Sequence, residues 1–155
     1  MAPDAGPWRD PAEADLNTLL ARTRRAADLY AGLAGDAGPR LGTLFRELAS
    51  SHRERAEELE ADVRRLEALP MDPDPDAESL EQMLARARAA LAGIAGHADR
   101  ARAEDRLCGE DEIADALEAA AAHDLPESVQ ATLAKLRETV GLARTRLERY
   151  AAREE

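Results

Sequence analysis

Long stretches with apolar residues three and four positions apart constrain the fold of this chain more than any other feature. In the first stretch this spacing separates Leu16 from Leu19 and Leu20, and Tyr30 from Leu33, and three later stretches repeat it. Such spacing places the apolar side chains on one face of an α-helix. Aromatic residues make up only 3% of the chain, and the helix-favouring residues Ala, Leu, Arg and Glu dominate. The sequence therefore predicts an all-α protein.

Prolines and glycines mark the ends of the predicted helices. Asp10 followed by Pro11 is typical of a capped helix start, and the glycine-containing segment 35–38 interrupts the helical pattern. We predict a disordered or extended segment over residues 1–10 and a single helical domain over residues 11–155. The predicted helices of this domain span about 11–34, 39–69, 77–92, 98–122 and 126–153.

The lengths of the connections predict how the helices are arranged. The short segments 35–38 and 123–126 make antiparallel neighbours of the helices that they join. The segment 70–97 is long enough to run the length of a bundle, and it contains a short helix of its own. Two antiparallel helical hairpins joined by one long crossover form the connectivity of a ferritin-like four-helix bundle. Five similar helices without this topology are the alternative.

Three short stretches stand in a definite order along residues 16–153. They are Leu16-Asn17-Thr18-Leu19-Leu20 followed by Tyr30, Leu44-Phe45-Arg46-Glu47-Leu48-Ala49, and Gly109-Glu110-Asp111 followed by Asp124-Leu125-Pro126-Glu127 and a valine. In these stretches the chain resembles an uncharacterised bacterial family of ferritin-like four-helix-bundle proteins, described as a domain of unknown function. The resemblance implies a ferritin-like fold and no particular activity.

Two positions depart from the pattern of that family. The family often has Asp-Gly midway along its first helix, where this chain has Arg25-Ala26. It often has a histidine in its last helix, where this chain has Arg144. If that histidine binds a metal in the relatives, this chain lacks the ligand.

One polar residue interrupts the apolar face near the middle of each of the first three long helices. These residues are Thr23, His52 and Glu110, whereas Val140 lies at the same level of the fourth helix, with Arg144 one turn later. Along residues 98–122 the apolar face comprises Ala103, Leu107, Ala114, Leu117 and Ala121. Ferritin-like proteins build their metal site in this layer. We predict a structural polar core of Thr23, His52, Glu110 and Arg144, in which His52 pairs with Glu110.

The chain lacks the ligand pattern of a di-iron centre. Such a centre needs two glutamates and two Glu-x-x-His pairs, but the residue three positions before each histidine is Ala or Ile. His52 and Glu110, with Glu47 and Glu104 as further contributors, could hold a single iron or manganese ion. Apart from that alternative, we expect no cofactor.

Charge and cysteine content limit the partners and the compartment. The net charge of −11 opposes binding to nucleic acids and to anionic membranes. The chain has no stretch typical of a signal peptide or a membrane span. The single cysteine, Cys108, fits a reducing compartment, so we expect a cytoplasmic protein, and we expect Cys108 to pack as a small apolar residue.

The sequence favours a non-catalytic structural or interaction module that forms a homodimer. The alternative is a metal-dependent oxidase or iron-handling protein with divergent ligands. A third hypothesis is a small apolar ligand bound among the small core side chains. The identity of any protein partner and the role of Trp8 are left open.

Overall fold

The computed structural model describes residues 10–66, 75–94 and 97–153, and it is built from α-helices. In chain order these are α1 (Pro11–Ala34), α2 (Pro39–Arg65), α3 (Pro75–Ile94), α4 (Ala98–Ala121) and α5 (Glu127–Arg153). The residues so described contain no strand, which confirms the all-α class. None of their helices is both long enough and apolar enough to cross a membrane. The predictions for residues 1–9, with Trp8, and for residues 67–74 lie outside the described residues.

Local signals set the helix ends. The side chain of Asp10 accepts a hydrogen bond from the Ala12 backbone N–H at 2.8 Å, and Pro11 opens α1, as the sequence predicts. The described part of α2 ends at Arg65 rather than at residue 69, and its last turn is basic, which suits the negative end of the helix dipole. α3 begins at Pro75 rather than at residue 77, because proline is favourable in the first turn of a helix.

Four helices form a ring of neighbours. α1 packs against α2 and α4, and α5 packs against the same two helices. The connections 35–38 and 122–126 are short, so α1 and α2 are antiparallel, as are α4 and α5. The buried apolar side chains of the four helices join in one core. α3 lies outside the ring, mainly against α4.

The start of α2 lies very close to the end of α1. A Cβ atom placed on Gly42 would lie 2.9 Å from the carbonyl oxygen of Ala34, which is nearer than Cβ atoms normally come. The missing side chain of Gly42 therefore permits the contact between the two helices.

The inward face of α4 differs from the predicted one. Its buried residues are Ala103, Arg106, Glu110, Ile113, Ala116, Leu117 and Ala120. The expectation that Ala121 points inward is wrong, because Ala121 is exposed. Leu107 and Ala114 are partly buried and pack against the edge of the core. Arg106 occupies an inward position, which the sequence did not suggest because its side chain is charged. Cys108 is exposed rather than packed. It lies two residues after the inward-facing Arg106, which places it about 200° further around the helix, on the opposite side.

Candidate functional site

Two ionisable side chains meet in the interior of the four-helix ring. His52 comes from α2 and Glu110 from α4, and their side chains are 0% and 1% exposed. The Nε2 atom of His52 lies 2.7 Å from Oε1 of Glu110. The sequence predicts that these two residues pair, and the structure brings them into contact.

The other ring nitrogen of His52 determines where its hydrogen lies. Nδ1 is 2.8 Å from the carbonyl oxygen of Leu48, which can only accept, so Nδ1 donates. A neutral ring then has no hydrogen on Nε2. The contact with Glu110 therefore requires one further proton, held by the ring or by the carboxyl group. In both cases the pair has no net charge, which is the state that burial favours.

Tyr30 of α1 is the third member of this site, and sequence reasoning placed it only in the apolar core. Its hydroxyl donates a hydrogen bond to Oε1 of Glu110 at 2.5 Å. Its ring centre lies 5.3 Å from that of His52, at an interplanar angle of 59°. A signal was present in the sequence, because a buried tyrosine hydroxyl normally requires a polar partner.

The surroundings of Tyr30 keep its hydroxyl protonated. Burial raises the pKa of Tyr30 well above its usual value, because the phenolate would lose its hydration. The negative charge of Glu110 and the hydrogen bond to it raise the pKa further, and the Arg106 guanidinium opposes them with a smaller effect. Tyr30 is therefore a hydrogen-bond donor throughout the physiological pH range.

Arg106 of α4 is the second residue that sequence reasoning missed. Its side chain is only 3% exposed, and its guanidinium carbon lies 5.8 Å from the centre of the Tyr30 ring. One guanidinium nitrogen lies 3.4 Å from Glu81 of α3 and 3.3 Å from Asp105. Its position in the three-and-four repeat of α4 is the signal that could have identified it. We call Tyr30, His52, Arg106 and Glu110 the polar cluster.

Three atoms of the polar cluster are buried without an ideal hydrogen bond in the described part of the chain, and one of them is Nε of Arg106. Oε2 of Glu110 is buried and has no hydrogen-bond partner among the residues that the structure describes. The approach of His52 Nε2 to Glu110 is short but oblique, so its hydrogen would not point straight at the oxygen. The two atoms are therefore in close contact without the geometry of a straight hydrogen bond.

The remaining two residues of the predicted polar core do not join the polar cluster. Thr23 is fully buried, but its hydroxyl donates to the carbonyl oxygen of Leu19 in its own helix at 2.8 Å. Arg144 is 44% exposed and lies 3.2 Å from Asp111, so its assignment to the core is wrong. The reason is register, because Ala143 takes the inward position of α5 and the next residue points away.

The two predicted contributors to a metal site lie at the surface. Glu47 is 52% exposed and pairs with Arg146, and Glu104 is 54% exposed and lies 2.9 Å from Arg100. Across residues 10–66, 75–94 and 97–153, no group of three or more His, Cys, Asp or Glu side chains could hold a metal ion. The structure therefore leaves His52 and Glu110 as the ligand pair, without the contributors that the sequence suggested.

The polar cluster can hold a proton and link helices. It connects α1, α2 and α4 through side chains that contact each other in the interior. A groove of about 490 Å³ between α1, α3 and α4 reaches the polar cluster only at Arg106, beside Arg25 and Glu81. Arg106 therefore separates this groove from His52 and Glu110.

Comparison with known sequences identifies the family. The sequence profile described as Domain of unknown function (DUF2383) matches residues 12–123, a range that contains every residue of the polar cluster. No curated protein and no solved structure matches the chain. Because the profile match extends over more than half of the 155 residues, this chain belongs to the DUF2383 family of domains of unknown function.

Proposed function

We propose that this chain is a non-catalytic helical module of the ferritin-like type, in which the polar cluster stands where such folds build a metal centre. The pairing of His52 and Glu110 with each other and with Tyr30 carries this proposal. Buried polar groups that contact one another in this way fix the relative positions of three helices. Nε2 of His52 and Oε1 of Glu110 already contact each other, which leaves Oε2 of Glu110 as the free oxygen of the pair within the part of the chain that the structure describes.

The arrangement of the helices supports the ferritin-like part of the proposal. α1 and α2 form one hairpin, α4 and α5 form another, and each hairpin lies against the other through α1–α4 and α2–α5 contacts. The chain passes between the hairpins by way of α3, which packs outside the ring. A long crossover between two hairpins is the connectivity of ferritin-like bundles.

We further propose that the module acts in the cytoplasm by self-association, as a homodimer. The thiol of Cys108 is free and exposed, which favours a reducing compartment. The net charge of −11 disfavours nucleic acids and anionic lipid surfaces as partners. Homodimers are the commonest assemblies of soluble proteins.

A metal-dependent oxidase or iron-handling protein is the second candidate, and one observation favours it. Oε2 of Glu110 is buried beside His52 and has no partner among the described residues, so a cation would satisfy it. Glu47 and Glu104, however, pair with surface arginines. Two remaining protein ligands are fewer than iron or manganese sites use, so the residues do not fit a metal centre.

A small apolar ligand, the third hypothesis, has less support. Grooves of about 330 and 490 Å³ in the described part of the chain are lined mainly by arginine and acidic side chains. Charged linings favour polar occupants over apolar ones.

Metal loading separates the first two candidates. The purified protein is incubated without oxygen with Fe(II) or with Mn(II) and desalted, and its metal content and melting temperature are measured. We expect far less than one equivalent of metal and an unchanged melting temperature, because the polar cluster is already internally paired.

The matched control is Glu110→Gln, which removes the negative charge and keeps the shape of the side chain. We expect it to take up as little metal as the wild type. A full equivalent of metal that raises the wild-type melting temperature and is lost in Glu110→Gln would replace our proposal with the metal-dependent one.

A further inference from the structure

The outward face of α3 exposes an unusual amount of apolar surface. Leu80, Met83, Leu84 and Leu91 are 58%, 65%, 47% and 71% exposed. Across the described residues, one other large apolar side chain is comparably exposed, Leu142 of α5. Clustered exposed apolar residues mark contact surfaces more often than scattered ones do.

The spacing of these residues places them on one stripe. Leu80, Leu84, Ala87 and Leu91 are separated by four, three and four residues, the repeat of a helix that packs against another helix. Ala87 and Ala90 are exposed as well. The opposite side of α3 carries the buried Ala85 and Ala89, which face the bundle. The stripe therefore lies on the side of α3 away from Ala85 and Ala89, and Leu84 at its edge lines the groove beside α4.

We infer that this stripe binds the same stripe of a second copy of the chain, with the two α3 helices antiparallel. The inference rests on the self-association in the proposed function and identifies the surface responsible. The two-fold axis passes between Leu84 and Ala87. Antiparallel pairing about this axis sets like-sized and complementary side chains opposite each other, namely Leu80 with Leu91, Leu84 with Ala87, Met83 with Ala90 and Glu81 with Arg88.

Charge favours this pairing over a parallel one. Glu81 and Arg88 are seven residues apart, so they lie on the same edge of the stripe. Antiparallel helices bring Glu81 of each copy near Arg88 of the other, which forms two equivalent contacts. Glu81 is 28% exposed and also lies 3.2 Å from Arg25 and 3.4 Å from Arg106 of its own chain, so its carboxylate would be shared among these arginines. Parallel helices would place both residues beside the apolar edge formed by Met83 and Ala90. Arg88 is 62% exposed where it contacts Asp105, so it can reach a second copy as well.

Side-chain size also favours a second copy of α3. Ala87 and Ala90 let the two backbones approach closely, while the leucines fill the spaces beside them. The described part of the stripe runs from Leu80 to Leu91, about three helical turns. The paired helices alone bury less than the ~1,200 Å² of a standard interface, so we expect a reversible dimer.

Sedimentation equilibrium of the full chain at low and high micromolar concentration tests the inference. We expect a reversible wild-type dimer and a dissociation constant at least about tenfold higher for Leu84→Glu, which buries a charge at the axis. The matched control is Leu142→Glu, because Leu142 is 59% exposed but lies on α5. It should dimerise as the wild type does. Circular dichroism of both variants checks that they are folded.

Disulfide trapping tests the orientation of the helices. In a Cys108→Ser background, Ala87→Cys lies near the two-fold axis and should form an intermolecular disulfide on mild oxidation. Leu91→Cys should not, because the two copies of residue 91 would be about 16 Å apart along the helix axis at 1.5 Å per residue. Efficient crosslinking of Leu91→Cys would show parallel helices and overturn the inferred arrangement.

The outcomes separate this inference from the proposed function. A wild-type dimer that Leu84→Glu leaves unchanged would overturn the α3 interface and leave self-association standing. A wild-type chain that is monomeric at high micromolar concentration would overturn self-association itself. Neither result bears on the metal experiment.

Discussion

Glu110 is the residue through which the members of the polar cluster are connected. Its Oε1 atom contacts both Nε2 of His52 and the hydroxyl of Tyr30. Removal of its carboxyl group would leave two buried polar groups without this partner. A buried group without a partner lowers stability by more than the intact pair raises it. The role of the polar cluster is therefore best seen when its members are removed together.

Glu110→Leu should lower the free energy of unfolding by about 3–5 kcal/mol, because the buried His52 keeps its desolvation penalty and loses its counterpart. Combining Glu110→Leu with His52→Leu and Tyr30→Phe should recover most of the loss, since apolar side chains need no partner. Urea denaturation of the single and combined variants measures both quantities.

Thr23→Val is the control for this experiment, because among the described residues the Thr23 hydroxyl bonds to the Leu19 carbonyl oxygen of its own helix. It should lower the free energy of unfolding by about 1 kcal/mol, and its effect should add to that of Glu110→Leu. The losses of stability in the Glu110, His52 and Tyr30 single variants should not add up in the combined variant. If they did, these three residues would not act as a unit.

The pKa of Tyr30 predicts a loss of stability in alkaline solution. Its pKa is raised in the folded protein, chiefly by burial, whereas the unfolded chain ionises near the usual value of about 10. The contribution of Tyr30 is therefore complete below pH 10. It declines as the pH rises from there towards the folded-state pKa, because only the unfolded state releases the proton. Urea denaturation between pH 8 and 11 should show a smaller decline for Tyr30→Phe than for the wild type; equal declines would contradict the burial argument.

At the scale of whole helices, the contact between α1 and α2 depends on a residue without a side chain. Gly42 lies against the backbone of Ala34, and backbone atoms cannot rotate aside as a side chain can. The same two helices supply His52 and Tyr30 to the polar cluster, so a change in their separation would alter the geometry of the site as well.

Gly42→Ala should therefore lower the free energy of unfolding by about 1–3 kcal/mol, because the new methyl group would collide with the Ala34 carbonyl oxygen. Gly141→Ala is the matched control in α5, where nothing lies within 4 Å of the added Cβ atom. It should raise stability by about 0.5–1 kcal/mol through helix propensity. Thermal denaturation measures both; a stabilising Gly42→Ala would mean that the helices separate easily.

At the scale of the whole molecule, the net charge of −11 acts on association. Two copies repel each other at low salt, whereas the α3 stripe attracts mainly through apolar burial. A contact driven by attraction between opposite charges is also possible. One groove near the end of α5 is lined by four arginines, namely Arg40, Arg146, Arg149 and Arg153. An acidic surface of a second copy docked in that groove would be attracted by charge.

Salt dependence distinguishes these two modes of association. Raising the ionic strength from about 0.01 to 0.15 M shortens the screening length from about 30 to 8 Å. Dimerisation through α3 should then become several-fold tighter, because the repulsion between copies is screened. Sedimentation equilibrium at the two salt concentrations measures this. Weaker dimerisation at high salt would point to the arginine-lined groove instead.

The sequence by itself determined the class of the fold and the level of the site. The spacing of apolar residues reflects which side chains are buried away from water. It therefore predicted the helices, and it placed His52 and Glu110 in one layer of the bundle. Proline and a capping aspartate marked the start of α1, because both act on the local backbone. These features involve residues close together in the chain, so they need no knowledge of neighbouring helices.

Only the tertiary structure decided which residues complete the site. Tyr30 and Arg106 became part of it, whereas Arg144, Glu47 and Glu104 lie at the surface. Neighbouring residues of a helix point about 100° apart, so an error of one position turns an inward side chain outward. Because alanine is common on both faces of these helices, the apolar spacing does not tell which of two neighbouring residues points inward. The contacts among α1, α2 and α4 resolve it, because they determine which side chains meet in the interior.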